Sequence, residues 1–130
     1  MSPMTRSIAA VGAVTALALA GVAEAATYNV DIVAKHSKVS GIKLSGTFKG
    51  QPFGTCPWKG KLLIPDTTQK LTCKDGTVSL RSHATRLTDN TKGTWKFTGG
   101  TGKFKGIKGG GTFTGTISTG NYRYVGTASY

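Results

Sequence analysis

Acid–base catalysis has few candidate residues in this sequence. After Glu24 the chain contains no glutamate, and its carboxylates are four aspartates, accompanied by two histidines. A catalytic acid or base needs a pKa near the working pH and a position within hydrogen-bond reach of the reacting proton. Asp31 is the only aspartate in a predicted strand, whereas His36 and His83 are predicted at the surface. Asp31 is thus the one catalytic candidate, with an exposed polar position as the alternative, and the composition favours binding over catalysis.

Aromatic residues are better candidates for a functional site. Six of them share the inward phase of the predicted strands: Trp58, Trp95, Phe97, Phe113, Tyr122 and Tyr124. Apolar walls with a few polar groups are typical of sites for small molecules. We predict that these residues line a site for a small apolar ligand, with tyrosine hydroxyls orienting it. A solid core without a cavity is the alternative.

The segment Thr98–Gly115, TGGTGKFKGIKGGGTFTG, raises the question of phosphate binding because such loops are rich in glycine. A Walker-type loop requires a serine or threonine directly after its lysine, but Phe104 follows Lys103. The spacing of a dinucleotide fingerprint is also missing, and no helix is predicted after the segment. Phe104 and Ile107 stand at positions suited to packing. The segment is therefore predicted to be a structural turn between strands, with some glycines at positive φ.

The N-terminus has the features of a secretory signal peptide. Arg6 gives a basic start, Ile8–Val22 is an apolar run, and Ala23 and Ala25 occupy the two positions that a signal peptidase recognises. The run is shorter than the roughly 20 residues of a membrane-spanning helix. We expect cleavage of residues 1–25, with a retained anchor as the alternative. Residues 26–130 then form a single exported domain, periplasmic or extracellular, with no transmembrane segment.

Cys56 and Cys73 are the only cysteines of the chain. An even number of cysteines in an exported protein favours a disulfide. Both residues have the inward phase of neighbouring predicted strands, which suits the short span of a disulfide. A metal site would have to combine them with His36 and His83, without any closely spaced pair of ligands. The sequence therefore predicts a Cys56–Cys73 disulfide, no metal site and no cofactor.

Apolar and polar residues alternate with a period of two through residues 26–130, which is typical of half-buried strands. The alternation assigns Ile42, Ile64 and Ile117 to the apolar face, together with the aromatic residues. About eight strands result, separated by turns so short that neighbours must be antiparallel. No window has the 3.6-residue period of a helix. The predicted fold is all-β, an eight-stranded antiparallel barrel, with a two-sheet β-sandwich as the alternative.

The glycine-rich segment resembles a motif of the allene oxide cyclase/dirigent family of β-barrels, Gly-Gly-Thr-Gly-x-Phe-x-Gly-x-x-Gly. The matching residues are Gly99, Gly100, Thr101, Gly102, Phe104, Gly106 and Gly109. The resemblance implies a bacterial exported member with an eight-stranded barrel and a central cavity, in which this segment joins two late strands and closes the barrel. Plant members act on hydrophobic small molecules, guiding cyclisation or radical coupling with acidic and other polar groups. Residues 26–130 contain no glutamate, so the resemblance does not extend to this chemistry.

The chain carries a net charge of +12, and loss of residues 1–25 removes one base and one acid and leaves this value unchanged. A basic surface attracts polyanions. Alternation puts the lysines opposite the aromatic residues, which argues against sequence-specific nucleic-acid binding through base stacking. We expect a non-catalytic binding or structural barrel for a small apolar ligand. The alternatives are an isomerase-like, cyclase-like or coupling-guiding enzyme, and a basic protein that adheres to anionic surface polymers.

Overall fold

Eight antiparallel strands form a closed barrel in the computed structural model, which describes residues 25–130. In chain order they are β1 (Thr27–Ser40), β2 (Lys43–Gln51), β3 (Gly54–Leu63), β4 (Asp66–Cys73), β5 (Gly76–Arg86), β6 (Asn90–Gly100), β7 (Lys108–Thr116) and β8 (Asn121–Ser129). A 3₁₀ turn at Gly102–Phe104 is the only helical element of this range. The all-β, eight-stranded antiparallel prediction is confirmed. The predicted signal peptide lies outside the described residues, apart from Ala25.

The barrel is closed by hydrogen bonds between its first and last strands. β1 pairs with β8 from Thr27, opposite Ser129, to Lys35, opposite Asn121. Closure leaves no free sheet edge, so the sandwich alternative is wrong. The glycine-rich segment joins β6 to β7, and the closure that the resemblance assigned to it belongs to the β1–β8 pair instead. Three of its glycines have left-handed φ values: Gly102 (61°), Gly106 (80°) and Gly109 (128°).

Successive connections lie at opposite ends of the barrel because neighbouring strands are antiparallel. The connections β1–β2, β3–β4, β5–β6 and β7–β8 (residues 41–42, 64–65, 87–89 and 117–120) form one end, here called the tip end. The other three connections form the terminal end, where Ala26 and Tyr130 exchange backbone hydrogen bonds of 3.1 Å. Phe53, Phe104 and Ile107 fold inward there and are buried. Apolar side chains thus close the terminal end.

The inward assignment of three isoleucines is wrong. Ile42, Ile64 and Ile117 are 54%, 68% and 50% exposed, respectively. Each lies one or two residues beyond the end of a strand, in a tip-end turn. In the sequence, the apolar alternation continues past the last residue of each strand. In the structure, the turn backbone beyond that residue no longer directs the isoleucine side chain to the inner face.

Glycines face aromatic rings across the strands, which explains the repeated Gly-Thr-aromatic pattern of the sequence. Gly93 of β6 lies opposite Phe113 of β7, and Trp95 of β6 lies opposite Gly111 of β7. The same relation holds between Gly46 of β2 and Trp58 of β3. A Cβ atom on Gly93 would lie only 2.8 Å from Phe113 Cε1. The missing side chain therefore makes room for the partner's ring inside the barrel.

The predicted disulfide is confirmed. Cys56 of β3 and Cys73, the last residue of β4, are joined, with their Cα atoms 4.8 Å apart. The next residue pair along the hairpin is Trp58 opposite Leu71, and both of these side chains are buried. The disulfide thus joins two adjacent strands at the terminal end of the core.

Candidate functional site

The six predicted ligand-binding aromatics all come from the inner faces of their strands. Five are buried and Tyr122 is half-buried. Phe113 stacks on Tyr124 with ring centroids 5.5 Å apart, and Trp95 meets Phe97 edge-on at 4.9 Å. Trp58 contacts this group through Phe48, which lies 5.8 Å from Trp58 and 5.2 Å from Tyr124. The structure brings the six residues together, and in this state they pack against one another.

A hydrogen-bonded polar group lies inside this aromatic interior. Ser82 Oγ donates to Gln69 Oε1 at 3.1 Å, and Gln69 Nε2 donates to the Tyr124 hydroxyl at 3.2 Å. All three side chains are buried, so we call them the interior polar trio. Gln69 and Ser82 were not among the residues predicted from the sequence. Their inward phase, shared with Leu71 and Leu80, was the available signal.

Burial reinforces the neutral state of the Tyr124 hydroxyl. Desolvation raises the pKa of its phenol, while hydrogen bonds from Ser82 and Gln69 act in the opposite direction. A raised pKa keeps the hydroxyl protonated at neutral pH. The interior polar trio therefore offers uncharged hydrogen-bond donors and acceptors. These can orient a polar group of a ligand but cannot exchange a proton with it at neutral pH.

His36 lies at the tip-end margin of the same interior. It is half-buried, so its predicted surface position is wrong. Its ring stacks on Tyr122 at 4.1 Å and meets Trp58 edge-on at 4.9 Å. Burial lowers the pKa of His36 to about 4. The imidazole is therefore neutral at physiological pH, and its buried Nε2 atom has no hydrogen-bond partner.

The four aspartates of residues 25–130 all lie on the outer wall or in turns. Asp31 is exposed and forms a bidentate pair with Arg123, with Nη2–Oδ2 at 2.8 Å. Asp66 holds Arg81 and the exposed His83 at 2.7 and 2.6 Å. These hydrogen bonds hold the pKa of both carboxyl groups below the usual value, through Arg123 for Asp31 and chiefly through His83 for Asp66. The described interior thus contains no carboxylate, and residues 25–130 contain no cluster of three potential metal ligands.

Four lysines form a basic surface on the outer wall of β2, β3 and β4. Lys43 lies directly opposite Lys61, and Lys59 lies directly opposite Lys70. We call these four residues the lysine wall. Like charges at directly opposed positions of an antiparallel pair lie close together and destabilise the sheet. None of the four forms an ion pair with any residue of the described range.

The lysine wall lines an open depression of about 830 Å³. Lys38 and Arg81 add further cations to its border, and Ser45, Thr68 and Ser79 supply hydroxyl groups. Its nearest carboxylate across the strands is Asp66, which is already paired with Arg81 and His83. A second depression of about 400 Å³ is bordered by Tyr122. The other five predicted ligand-binding aromatics border neither depression. The larger depression combines unpaired positive charge with neutral hydrogen-bonding groups.

Comparison of the chain with protein families, with curated proteins and with solved structures finds no match. The described residues include no helix of the length and apolar character needed to cross a bilayer.

Proposed function

We propose that this protein is an exported, non-catalytic binding module that adheres to an anionic polymer through the lysine wall. The observation that carries the proposal is the pair of directly opposed lysine contacts, Lys43–Lys61 and Lys59–Lys70, without carboxylate partners in the described structure. Such an arrangement costs stability unless an anion lies between the charges. A polymer bearing phosphate or carboxylate groups supplies anions at short, regular intervals and neutralises several lysines at once.

The cellular location and the family relation belong to the same proposal. Export is supported by the Cys56–Cys73 disulfide, because disulfides persist in oxidising compartments. A distant relation to the allene oxide cyclase/dirigent barrels is supported by the closed eight-stranded barrel and by the glycine-rich segment that joins β6 to β7. The enzyme alternative receives no support from the described interior, which holds no acidic residue.

The test uses the Lys59→Gln/Lys70→Gln double variant and polyphosphate as the probe. We expect weaker binding and a reduced dependence of affinity on salt, by about 1.4 in the slope of log K against log salt for two lost contacts. The matched control is Lys103→Gln/Lys105→Gln, which removes the same charge from the β6–β7 loop at the terminal end. Equal losses in both variants would show a response to net charge alone and would refute a specific site. The melting temperature of the Lys59/Lys70 variant should not fall, because the substitution relieves repulsion.

A second candidate function is the binding of a small apolar ligand inside the barrel. The interior polar trio and the unpartnered Nε2 of His36 favour it, because both place polar atoms among aromatic rings. Binding requires the aromatic packing to open, since the six aromatics contact one another in this state. Trp95→Ala should weaken the binding of an apolar fluorescent probe more than Asp31→Asn, whose site is on the outer wall. Abolition of a substrate's turnover by Asp31→Asn, with the fold intact, would favour the enzyme alternative instead.

A further inference from the structure

The exposed apolar residues of the barrel gather at the tip end. Six of the eight large apolar residues exposed in residues 25–130 lie in or beside its four connections: Val39, Ile42, Leu63, Ile64, Leu87 and Ile117. The other two, Val33 and Val125, lie on the outer wall formed by β1 and β8. The terminal end exposes none within the described range. Concentration of exposed apolar residues in one region is a mark of an interaction surface.

The arrangement of these residues fits a flat partner. Turns ordinarily use Gly, Pro, Asn, Asp and Ser, so exposed isoleucines at the tips contribute little to the turns themselves. The four connections join successive strand pairs around the closed barrel, which distributes the apolar tips around its circumference. A ring spread around the circumference suits a broad, flat partner. It presents separate apolar points in one region of the surface.

Cations accompany the apolar residues at each connection. Lys38 and Lys43 flank the β1–β2 turn, and Lys61 precedes Leu63 and Ile64 at the next. At the β5–β6 connection Arg86 lies opposite Lys92, another directly opposed pair of like charges. At the β7–β8 turn, which carries Ile117, the side chain of Lys35 donates from Nζ to the Thr119 carbonyl at 3.0 Å.

The two aspartates at this end are already engaged. Asp66 is paired with Arg81 and His83. Asp89 accepts hydrogen bonds from the backbone and hydroxyl of Ser118, at 2.9 and 3.0 Å. The tip end therefore carries exposed apolar residues at its connections and positive charges beside them. This combination is complementary to a bilayer with anionic headgroups, in which apolar groups enter the headgroup–acyl boundary and cations remain beside the phosphates.

We propose that the tip end docks on the surface of a lipid bilayer that contains anionic headgroups. The ring of apolar tips inserts shallowly, and the cations beside each connection bind headgroup phosphates. Residues 25–26, directly before β1, lie at the terminal end, on the side opposite to this surface. The inference goes beyond polymer binding: the two surfaces share Lys43 and Lys61, but polymer binding by the lysine wall needs no exposed isoleucine.

The test measures partition onto vesicles of phosphatidylcholine mixed with phosphatidylglycerol, with pure phosphatidylcholine vesicles as the uncharged comparison. The full 130-residue chain is expressed and recovered after export, so every variant undergoes the same processing. Ile64→Thr/Ile117→Thr removes two tips, and Val33→Thr/Val125→Thr removes the two exposed apolar residues of the wall by similar chemistry. We expect the tip variant to lose at least about tenfold in partition coefficient, because apolar burial contributes strongly to binding, and the wall variant to lose little.

Each other outcome has a defined meaning. Equal partition of the tip and wall variants overturns the proposal. Loss of vesicle binding in Lys59→Gln/Lys70→Gln alone, with the tip variant unaffected, shows that vesicles act as one more polyanion for the lysine wall and also overturns it. A dimer in sedimentation velocity that Ile64→Thr/Ile117→Thr dissociates assigns the surface to a second copy of the chain. Retention of polyphosphate binding by the tip variant, together with its loss of vesicle partition, supports the proposal, since it separates the apolar tips from the lysine wall.

Discussion

Removal of the Cys56–Cys73 cross-link should lower the free energy of unfolding by about 3 kcal/mol. The two cysteines are 17 residues apart, and a loop of that length restricts the unfolded chain by this amount in the chain-entropy model. A domain of this size has a total stability of roughly 5–15 kcal/mol, so the loss is a large fraction of it. The corresponding fall in melting temperature is roughly 12 °C, at about 4 °C per kcal/mol.

The assay is urea denaturation of the oxidised protein, the reduced protein and the Cys56→Ala/Cys73→Ala variant. Reduction removes the cross-link but keeps both sulfur atoms in the core, where Cys56 is fully buried. The alanine variant should be less stable still, because it also loses packing, and a reductant should not change it. The denaturant slope should rise on reduction, since the unfolded chain expands. A difference below about 1 kcal/mol between the oxidised and reduced proteins would refute the reasoning, as would ready alkylation of both thiols in the untreated native protein.

Three further predictions concern the turn, the half-buried histidine and the N-terminus. Gly100→Val and Gly102→Val should each lower stability by about 1 kcal/mol or more, because a Cβ would lie 2.3 Å and 2.5 Å from backbone carbonyl oxygens. Gly99→Val, with open space at its Cβ, is the matched control. Equal melting temperatures in all three variants would show that Gly100 and Gly102 have no structural role in the turn. The folded-state pKa of His36 is about 4, below its ordinary value of 6.5. Between pH 6.5 and pH 4 the His36 imidazole is therefore protonated in the unfolded chain but not in the folded protein. The free energy of unfolding should thus fall as the pH drops from about 6.5 to about 4. Replacing His36 with phenylalanine should abolish that loss in pH-dependent denaturation, while any loss below pH 4 from the ion-paired aspartates should remain. N-terminal sequencing of the exported protein should begin at Ala26, and recovery of the original N-terminus would contradict the predicted cleavage.

The strands and the disulfide could be predicted because their signals are local. A period of two identifies the inward face of a strand from its own residues, as in Trp95 and Phe97 on either side of Lys96. The same rule placed Cys56 and Cys73 inward on consecutive strands, which is sufficient for a cross-link when the hairpin between them is short. The number of strands and the short turns favoured a closed barrel, but the sequence pattern did not distinguish a barrel from a sandwich; the β1–β8 pairing does.

The candidate sites were harder to predict because they depend on register and on where strands end. Alternation shows that Lys59 and Lys70 point outward, but only the pairing of β3 with β4 places them opposite each other. The tip isoleucines Ile42, Ile64 and Ile117 were assigned to the core, since composition does not indicate the last paired position. His36 was missed for the opposite reason. Its neighbours are polar, although Ala34 and His36 continue the inward phase of the preceding residues of β1.

The β1–β8 pairing has a consequence for how the barrel folds. The seven other strand pairs are hairpins between neighbours in sequence, whereas Lys35 and Asn121 are separated by 86 residues. Non-local pairing forms late, because the entropy of closing the long intervening chain must be overcome before its contacts contribute. Until then the meander has two open edges, formed by β1 and β8, that can pair with other chains. Aggregation during folding should therefore depend on how quickly β8 reaches β1, and the Cys56–Cys73 cross-link helps only slightly, because it bypasses 17 residues of a separation of 86.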